Sequence, residues 1–452
     1  MWTGLLLLVV LLAGCAPAPR ASSRLVAGEV AEPLREAPDS SSARWLALLP
    51  DGEEKRRFVL DCTGCHQFDA RIARTNGRPR TRDEWETAIR RMLGFAGATT
   101  SFPVIAEGRD AAATAVWLER HLAGTPRLVA SAAARPTAPS GWRVTEFLLP
   151  SAADLPHDLA VDRGGRVIVT GMFTHAMHVL DPLTERFTAE PIPVDRANPR
   201  AVEIDSLGHW WVVLGAPMRL ARRTPAGRWD SWEVGVYPHS LALDPAGRVW
   251  FNGHFTRDPE LVGAVDARTG AVRVDTLPAH PRLGARPGGP IPYEIRVAPD
   301  GRVWLGELQG NRLVALDPRT RRAEAIELPL AWSGPRRFDV DGHGRLWIPA
   351  YSANALVRFD PATRRFTEYP LPVRDALPYV ARVDGEVVWI GTAAADVVYR
   401  FEIATAQFTT VALPSRGALV RHLAIDPRTG DVWVAYGASP GIPARIARIS
   451  RR

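Results

Sequence analysis

The chain has 452 residues, 46% of them hydrophobic and 23% charged, with a formal net charge of +7. This length exceeds one ordinary domain, and the composition excludes a disordered or collagen-like polymer. Acids and bases are interspersed, so the charge gives no reason to expect a nucleic-acid partner, and the one long apolar run, residues 5–12, is too short to span a bilayer as a helix.

That run suits the apolar region of a signal peptide. It continues into Leu12-Ala13-Gly14-Cys15, which resembles a bacterial lipobox. The resemblance implies cleavage before Cys15 and lipidation of Cys15. With Ala16 in the next position, it also implies a periplasmic protein anchored in the outer membrane of a Gram-negative bacterium. Residues 1–15 are therefore expected to be a lipoprotein signal, and residues 16–44, rich in Ala, Pro, Ser and charge, a tether.

Cys62-Thr63-Gly64-Cys65-His66 has the Cys-x-x-Cys-His spacing of c-type haem attachment. Two thiols at this spacing reach the two vinyl groups of one porphyrin, and the adjoining histidine becomes the proximal iron ligand. A zinc site would need a second ligand pair, and Cys15 is the only other cysteine. A redox dithiol is expected in a βαβ setting, whereas residues 51–61 read as a short charged helix entering the motif. Next, Thr81-Arg82-Asp83-Glu84 is a capping box that opens a helix on which Trp85, Ile89 and Met92 share one apolar face. Met92 is expected to point inward as the distal axial ligand, with His121 as the rival and simple core filling as the alternative. Arg71, Arg74, Arg78, Arg80 and Arg82 read either as a solvated loop or as a docking rim for an acidic redox partner, whose association would weaken with salt.

Over residues 45–124 the chain resembles a small class I cytochrome c, on Cys62, Cys65, His66, the helix carrying Trp85 to Met92, and the helix of Trp117, Leu118 and Leu122. The resemblance implies an all-α domain, taken as 45–125, that carries one covalent haem c and transfers single electrons. Residues 126–141 read as a linker.

The rest of the chain repeats. Gly165, Gly208, Gly247, Gly301, Gly344, Gly385 and Gly430 each open a Gly-Arg-Val-Trp-like segment, preceded by an alternating strand and followed by a second hairpin turn such as Leu316-Asp317-Pro318. A four-stranded unit of about forty residues is a β-propeller blade. The tryptophans are assigned to packing between blades. The last copy lacks room for its fourth strand, and residues 142–150 resemble the missing one, so an N-terminal strand is expected to close the ring. The fold class is thus multidomain: a small all-α domain, then an all-β seven-bladed propeller over 142–452.

The residue after each blade-initial proline, or its equivalent, is expected near the axis: His157, Arg200, His239, Tyr293, Arg336, Tyr379 and Arg421, with Glu294 and His422 beside them. Read functionally, these form a pocket for an anionic or polar ligand with the arginines as carboxylate or phosphate forks; read structurally, they form a solvated ring. The repeats, for example residues 238–251 and 311–318, resemble the virginiamycin B lyase (streptogramin lyase) family and, more loosely, the gluconolactonase and NHL-type propellers. The lyase resemblance implies elimination chemistry by a glutamate and a histidine with a divalent cation. Its nearest match is Glu307-Leu308-Gln309, with glutamine where histidine is expected, and His239 or His254 as substitutes; magnesium or calcium would lie in the channel.

Together these readings predict an extracytoplasmic electron-transfer protein whose propeller binds a substrate or redox partner. The alternatives are a lyase or lactonase-type hydrolase with an ancillary haem, and a scaffold that only positions the haem.

Overall fold

The repeated glycine marks a turn that tolerates little else. Its φ is 84° at Gly165, 81° at Gly247 and 78° at Gly344, in the left-handed region where a side chain is strained. At that turn Asp244 accepts hydrogen bonds from the Arg248 backbone N–H (2.9 Å), the Arg248 Nε–H (2.6 Å) and the Trp250 indole N–H (2.8 Å). Asp341 does the same for Arg345 and Trp347, and Asp205 binds the Trp211 indole. These tryptophans therefore do more than pack: the buried indole N–H has its acceptor built into the preceding turn.

The computed structural model describes residues 24–26, 42–124, 141–256, 259–281, 291–437 and 442–452. Seven antiparallel sheets follow one another in chain order. The first comprises Pro156–Val161, Val167–Gly171, Ala176–Asp181 and Arg186–Pro191. Later blades begin at Pro199, Pro238, Pro292, Asp339, Pro378 and Val420. The first strand of each blade packs against that of the next, and the seventh against the first, which closes a ring. Between blades lie apolar cores shared by both neighbours, such as Trp250 and Val262 with Leu305 and Val314.

Closure occurs as the sequence predicts. Trp142–Leu148 pairs antiparallel with Arg445–Arg451, placing Val144 opposite Ile449 and Phe147 opposite Ile446. One expectation is corrected here: Arg24–Val26, within the segment read as a tether, pairs along the other edge of Trp142–Leu148 and adds a fifth strand. Covering that edge reduces the exposed ladder.

Among the described residues five helices precede the propeller: α1 (Ser42–Leu46), α2 (Glu53–Cys62), α3 (Ala70–Ala73), α4 (Arg82–Ala96) and α5 (Ala111–Leu122). The Thr81–Glu84 capping box opens α4 as expected. Trp85 and Ile89 are buried, but Met92 is 38% exposed. The inward placement of Met92 is thus corrected. The aromatic core of Phe58, Phe68, Trp85 and Trp117 covers only the first half of α4, and Arg90, Arg91, Gly94 and Phe95 beyond it are also exposed.

Nor do the helices stand apart from the propeller. Leu46, Leu49 and Leu60 share one apolar cluster with Leu308, Tyr351, Leu377, Tyr379 and Leu419. Lys55, the sole lysine, is buried with its Nζ 2.7 Å from Asp375. Gln309 donates to Asp61 (3.0 Å) and the Trp332 indole to Glu53 (2.9 Å).

The ring-closing strand is a stability determinant. Phe147 is buried against Trp433, with ring centroids 5.7 Å apart. Phe147→Ala is expected to cost about 3–5 kcal/mol, the usual range for emptying a buried phenylalanine site, measured as a lowered midpoint in chemical denaturation.

Candidate functional site

The inner strands do not pair regularly. In six blades the ladder between first and second strands slips at the predicted axis residue, for example between Pro238 and Leu241, Pro292 and Glu294, and Pro378 and Val380. A bulge frees that residue from the alternation of the strand and re-aims its side chain. His157, Arg200, His239, Tyr293, Tyr379 and Arg421 occupy these positions, and Arg336 follows an isolated bridge between Pro335 and Ala350.

All seven line a single cavity of about 640 Å³, and the far wall of that cavity is the segment Gly64, Cys65 and His66. Gly94 and Phe95 from α4, and Phe102 and Val104 from the following loop, complete it. The motif joins the propeller through hydrogen bonds. Arg421 donates to the carbonyls of Gly64 (3.3 Å) and Cys65 (2.9 Å), and the Tyr351 hydroxyl donates to the Thr63 carbonyl (3.0 Å). A β-carbon on Gly64 would lie 2.6 Å from Arg336 Nη2, so glycine at this position permits the close approach.

His66 Nδ1 lies 3.1 Å from the Gln67 carbonyl oxygen. A carbonyl only accepts, so Nδ1 carries the proton and Nε2 keeps its lone pair, the arrangement a metal-ligating histidine needs. Cys65 is exposed, Cys62 is half-buried at the end of α2, and the two thiols are not joined to each other. Burial pushes the Cys62 thiol up to about 12. Cys65 and His66 line the cavity, whereas Cys62 packs against the helix core beside it.

Met92 is not among the residues lining the cavity; the methionine that does line it is Met172, whose sulfur lies 2.7 Å from Arg200 Nη1. His121 packs edge-on to Trp117 and also lies outside the lining. In the basic segment, Arg71 pairs with Asp69, Arg78 with Glu84 and Arg82 with Asp83, while Arg74 and Arg80 lie over Trp45 and Trp85. Much of its charge is thereby matched within the segment.

The expected lyase residues separate. Glu307 is fully buried, 2.5 Å from Arg312, which also holds Glu260, and it does not line the cavity. Gln309 is committed to Asp61. His239 and His254 do line the cavity, stacked with centroids 4.3 Å apart. Burial, followed by the charges of neighbours such as Arg200, holds His157 and His239 well below the usual histidine range and His254 near about 3. Imidazoles so depressed are weak bases at neutral pH. Glu294 and His422 are corrected as well: Glu294 pairs with Arg296 (2.7 Å) and His422 with Asp158 (3.0 Å), in a charge-matched layer outside the lining. Among the described residues no group of three or more His, Cys, Asp or Glu side chains is placed to hold a metal ion.

Cys15, the signal segment and most of the two linkers lie outside the described residues. Sequence reasoning named His254 but missed the ring it belongs to, the residue that follows the second strand of a blade, which also holds Met172, Leu308 and Tyr351. Each donates its backbone N–H to the loop entering its own blade, to the carbonyls of Leu155, Tyr237, Ile291 and Gly334 respectively. The repeat register itself was the signal.

No protein-family model matches the chain, and no curated protein matches it. Among solved structures it is similar to a streptogramin B lyase (18% identity, TM-score 0.61, covering 69% of this chain and 98% of that one). It is also similar to the selenomethionine-substituted virginiamycin B lyase of Staphylococcus aureus (19%, 0.61, 69% and 100%) and to the RRP9 WD40 repeats (9%, 0.56, 70% and 99%). At these identities the likeness is one of fold: a seven-bladed propeller similar in structure to virginiamycin B lyase.

Tyr379 has the most unusual acidity here. Its hydroxyl meets that of Tyr293, and Arg336 lies over its ring at 4.4 Å. Burial pushes this phenol up, but the guanidinium groups of Arg336, Arg421 and Arg337 outweigh burial and hold it below the usual phenol value. A phenolate favoured in the folded state contributes stability that is full above the unfolded value of about 10 and is lost as pH falls through the folded value. A spectrophotometric titration is expected to show one tyrosine ionising below the rest, absent in Tyr379→Phe.

Proposed function

We propose that this chain is an extracytoplasmic c-type haem protein, anchored through Cys15, that passes single electrons between its haem and a molecule held by the propeller. The observation that carries the reading is the shared cavity: Cys65 and His66 form one wall, and the bulged axis residues of the propeller form the other. Cys62 and Cys65 would hold the porphyrin through their sulfurs, and His66 would supply a ligand to its iron. The haem supplies a one-electron couple when bound.

The residues of the chain supply position and exclusion of water. Arg421 and Tyr351 fix the attachment loop by its carbonyls. Phe95, Phe102, Phe173 and Leu155 give the cavity an apolar side suited to a macrocycle. Met172, on the cavity wall, would supply the sulfur ligand to the iron in place of the exposed Met92. An acidic redox partner, if one docks, meets the basic segment after the motif. The alternatives, lyase or lactonase-type turnover and a passive scaffold, rest on the likeness of fold, and the burial of Glu307 with Arg312 weighs against the first.

Expression with haem-attachment machinery is expected to give a covalent haemochrome that survives denaturation and is lost in Cys62→Ala/Cys65→Ala. Its absence in the unsubstituted chain would overturn the reading. In the ferric protein, the sulfur-to-iron charge-transfer band in the red is expected to vanish in Met172→Ala and persist in Met92→Ala; the reverse result would return the role to Met92.

A further inference from the structure

Among the described residues eight arginines are buried, and they fall into two groups. Arg109, Arg312, Arg337, Arg382 and Arg445 each face a carboxylate: Asp61 at 2.7 Å, Glu307 at 2.5 Å, Asp158 at 2.7 Å, Glu294 at 3.5 Å and Glu146 at 3.2 Å. Arg200, Arg336 and Arg421 face none, and these three are the ones that line the cavity. Their exposures are 4%, 2% and 4%, and the Nε–H of each lacks an acceptor.

Their contacts are carbonyls, a thioether and phenols, among them Tyr379, whose hydroxyl lies 3.4 Å from Arg421 and whose ring lies 4.4 Å from Arg336. Arg336 lies 4.0 Å from the Tyr351 ring centroid and donates to the Tyr293 hydroxyl (2.9 Å). Arg421 donates to the motif carbonyls, and Arg200 lies over the Tyr237 ring and against the Met172 sulfur. No carboxylate is found among the described residues lining the cavity, and burial holds its His157, His239 and His254 below the usual histidine range. Elsewhere this fold matches its buried guanidinium groups with anions of its own. A buried cation without a counter-charge is costly, so three of them converging on one space make that space a receptor for negative charge.

We propose that Arg200, Arg336 and Arg421 form a carboxylate-binding site in the propeller mouth. The planar fork of arginine suits a carboxylate. Phe95, Phe102 and Phe173 on the same cavity suit an apolar body attached to it. Two sources offer that chemistry: the propionate groups of a haem seated in the cavity, or a free organic acid beside it. The site deepens the function proposed above, but its charge asymmetry belongs to the polypeptide and does not require haem.

The test titrates malonate, against sodium chloride at matched ionic strength, into the full-length chain made with and without haem, and reads the thermal midpoint. Arg336→Gln, Arg421→Gln and the exposed Arg302→Gln are compared. Saturable stabilisation in both forms, weakened at least tenfold by Arg336→Gln or Arg421→Gln and unchanged by Arg302→Gln, assigns the site to a free acid. Stabilisation in the haem-free chain alone, together with a lower haem midpoint potential in the two cavity variants, assigns it to the propionates. No malonate response in either form overturns the proposal, and because the unsubstituted chain gives that answer, a variant that fails to fold does not obscure it. A chain with no covalent haem that still binds malonate would sink the haem reading and leave this site standing.

Discussion

The attachment of the Cys62–His66 loop to the propeller axis is the constraint from which the rest of the site follows. Arg421 and Tyr351 take the loop by its backbone carbonyls, and Gly64 lets Arg336 come up against it. Backbone acceptors at the end of a helix lack partners within that helix, so they are natural points of attachment. α2 ends at Cys62, and the carbonyls of Thr63, Gly64 and Cys65 just beyond it meet donors carried by the propeller. The loop forms one wall of the cavity, with Cys65 still exposed to solvent.

Charge is then sorted around that chamber. One layer of the propeller interior is matched, as in Arg337 with Asp158 and Arg296 with Glu294, and contributes rigidity to the channel. The charged side chains facing the motif are Arg200, Arg336 and Arg421, with no carboxylate among the described lining residues. Burial first, and then the neighbouring guanidinium groups, depress the cavity histidines, while Arg336, Arg421 and Arg337 outweigh burial at Tyr379. Thus the electrostatics that make the propeller mouth receptive to an anion also make it a poor place for a histidine base.

The bulges show how a repeated scaffold is turned to a purpose. Along a regular strand, side chains alternate between the two faces of a blade, and both faces are claimed by packing between blades. Slipping the ladder by a residue next to the axis releases one side chain per blade from that demand. Different residues can then occupy the same register, His239 in one blade, Tyr293 in the next and Arg336 beyond it, without cost to the sheets.

The sequence alone determined the blades, their number and their closure, because glycine turns, Asp–Trp spacing and strand alternation are local and recur: Gly247 to Trp250 contains its own hydrogen-bonding logic. It also determined α4 through Thr81 and Glu84, and the register of the axis residues through the proline before six of them and Val420 before Arg421. Tertiary structure decided what those residues face. Met92 shares a helical face with Trp85, yet only contact with the aromatic core decides whether that face is covered along its whole length. Glu307 and Arg336 are each a charged residue beside a strand in the sequence. One finds an opposite charge five residues away at Arg312 and the other finds none, and burial and pairing depend on neighbours that the chain brings together only when the ring closes and the helices settle on it.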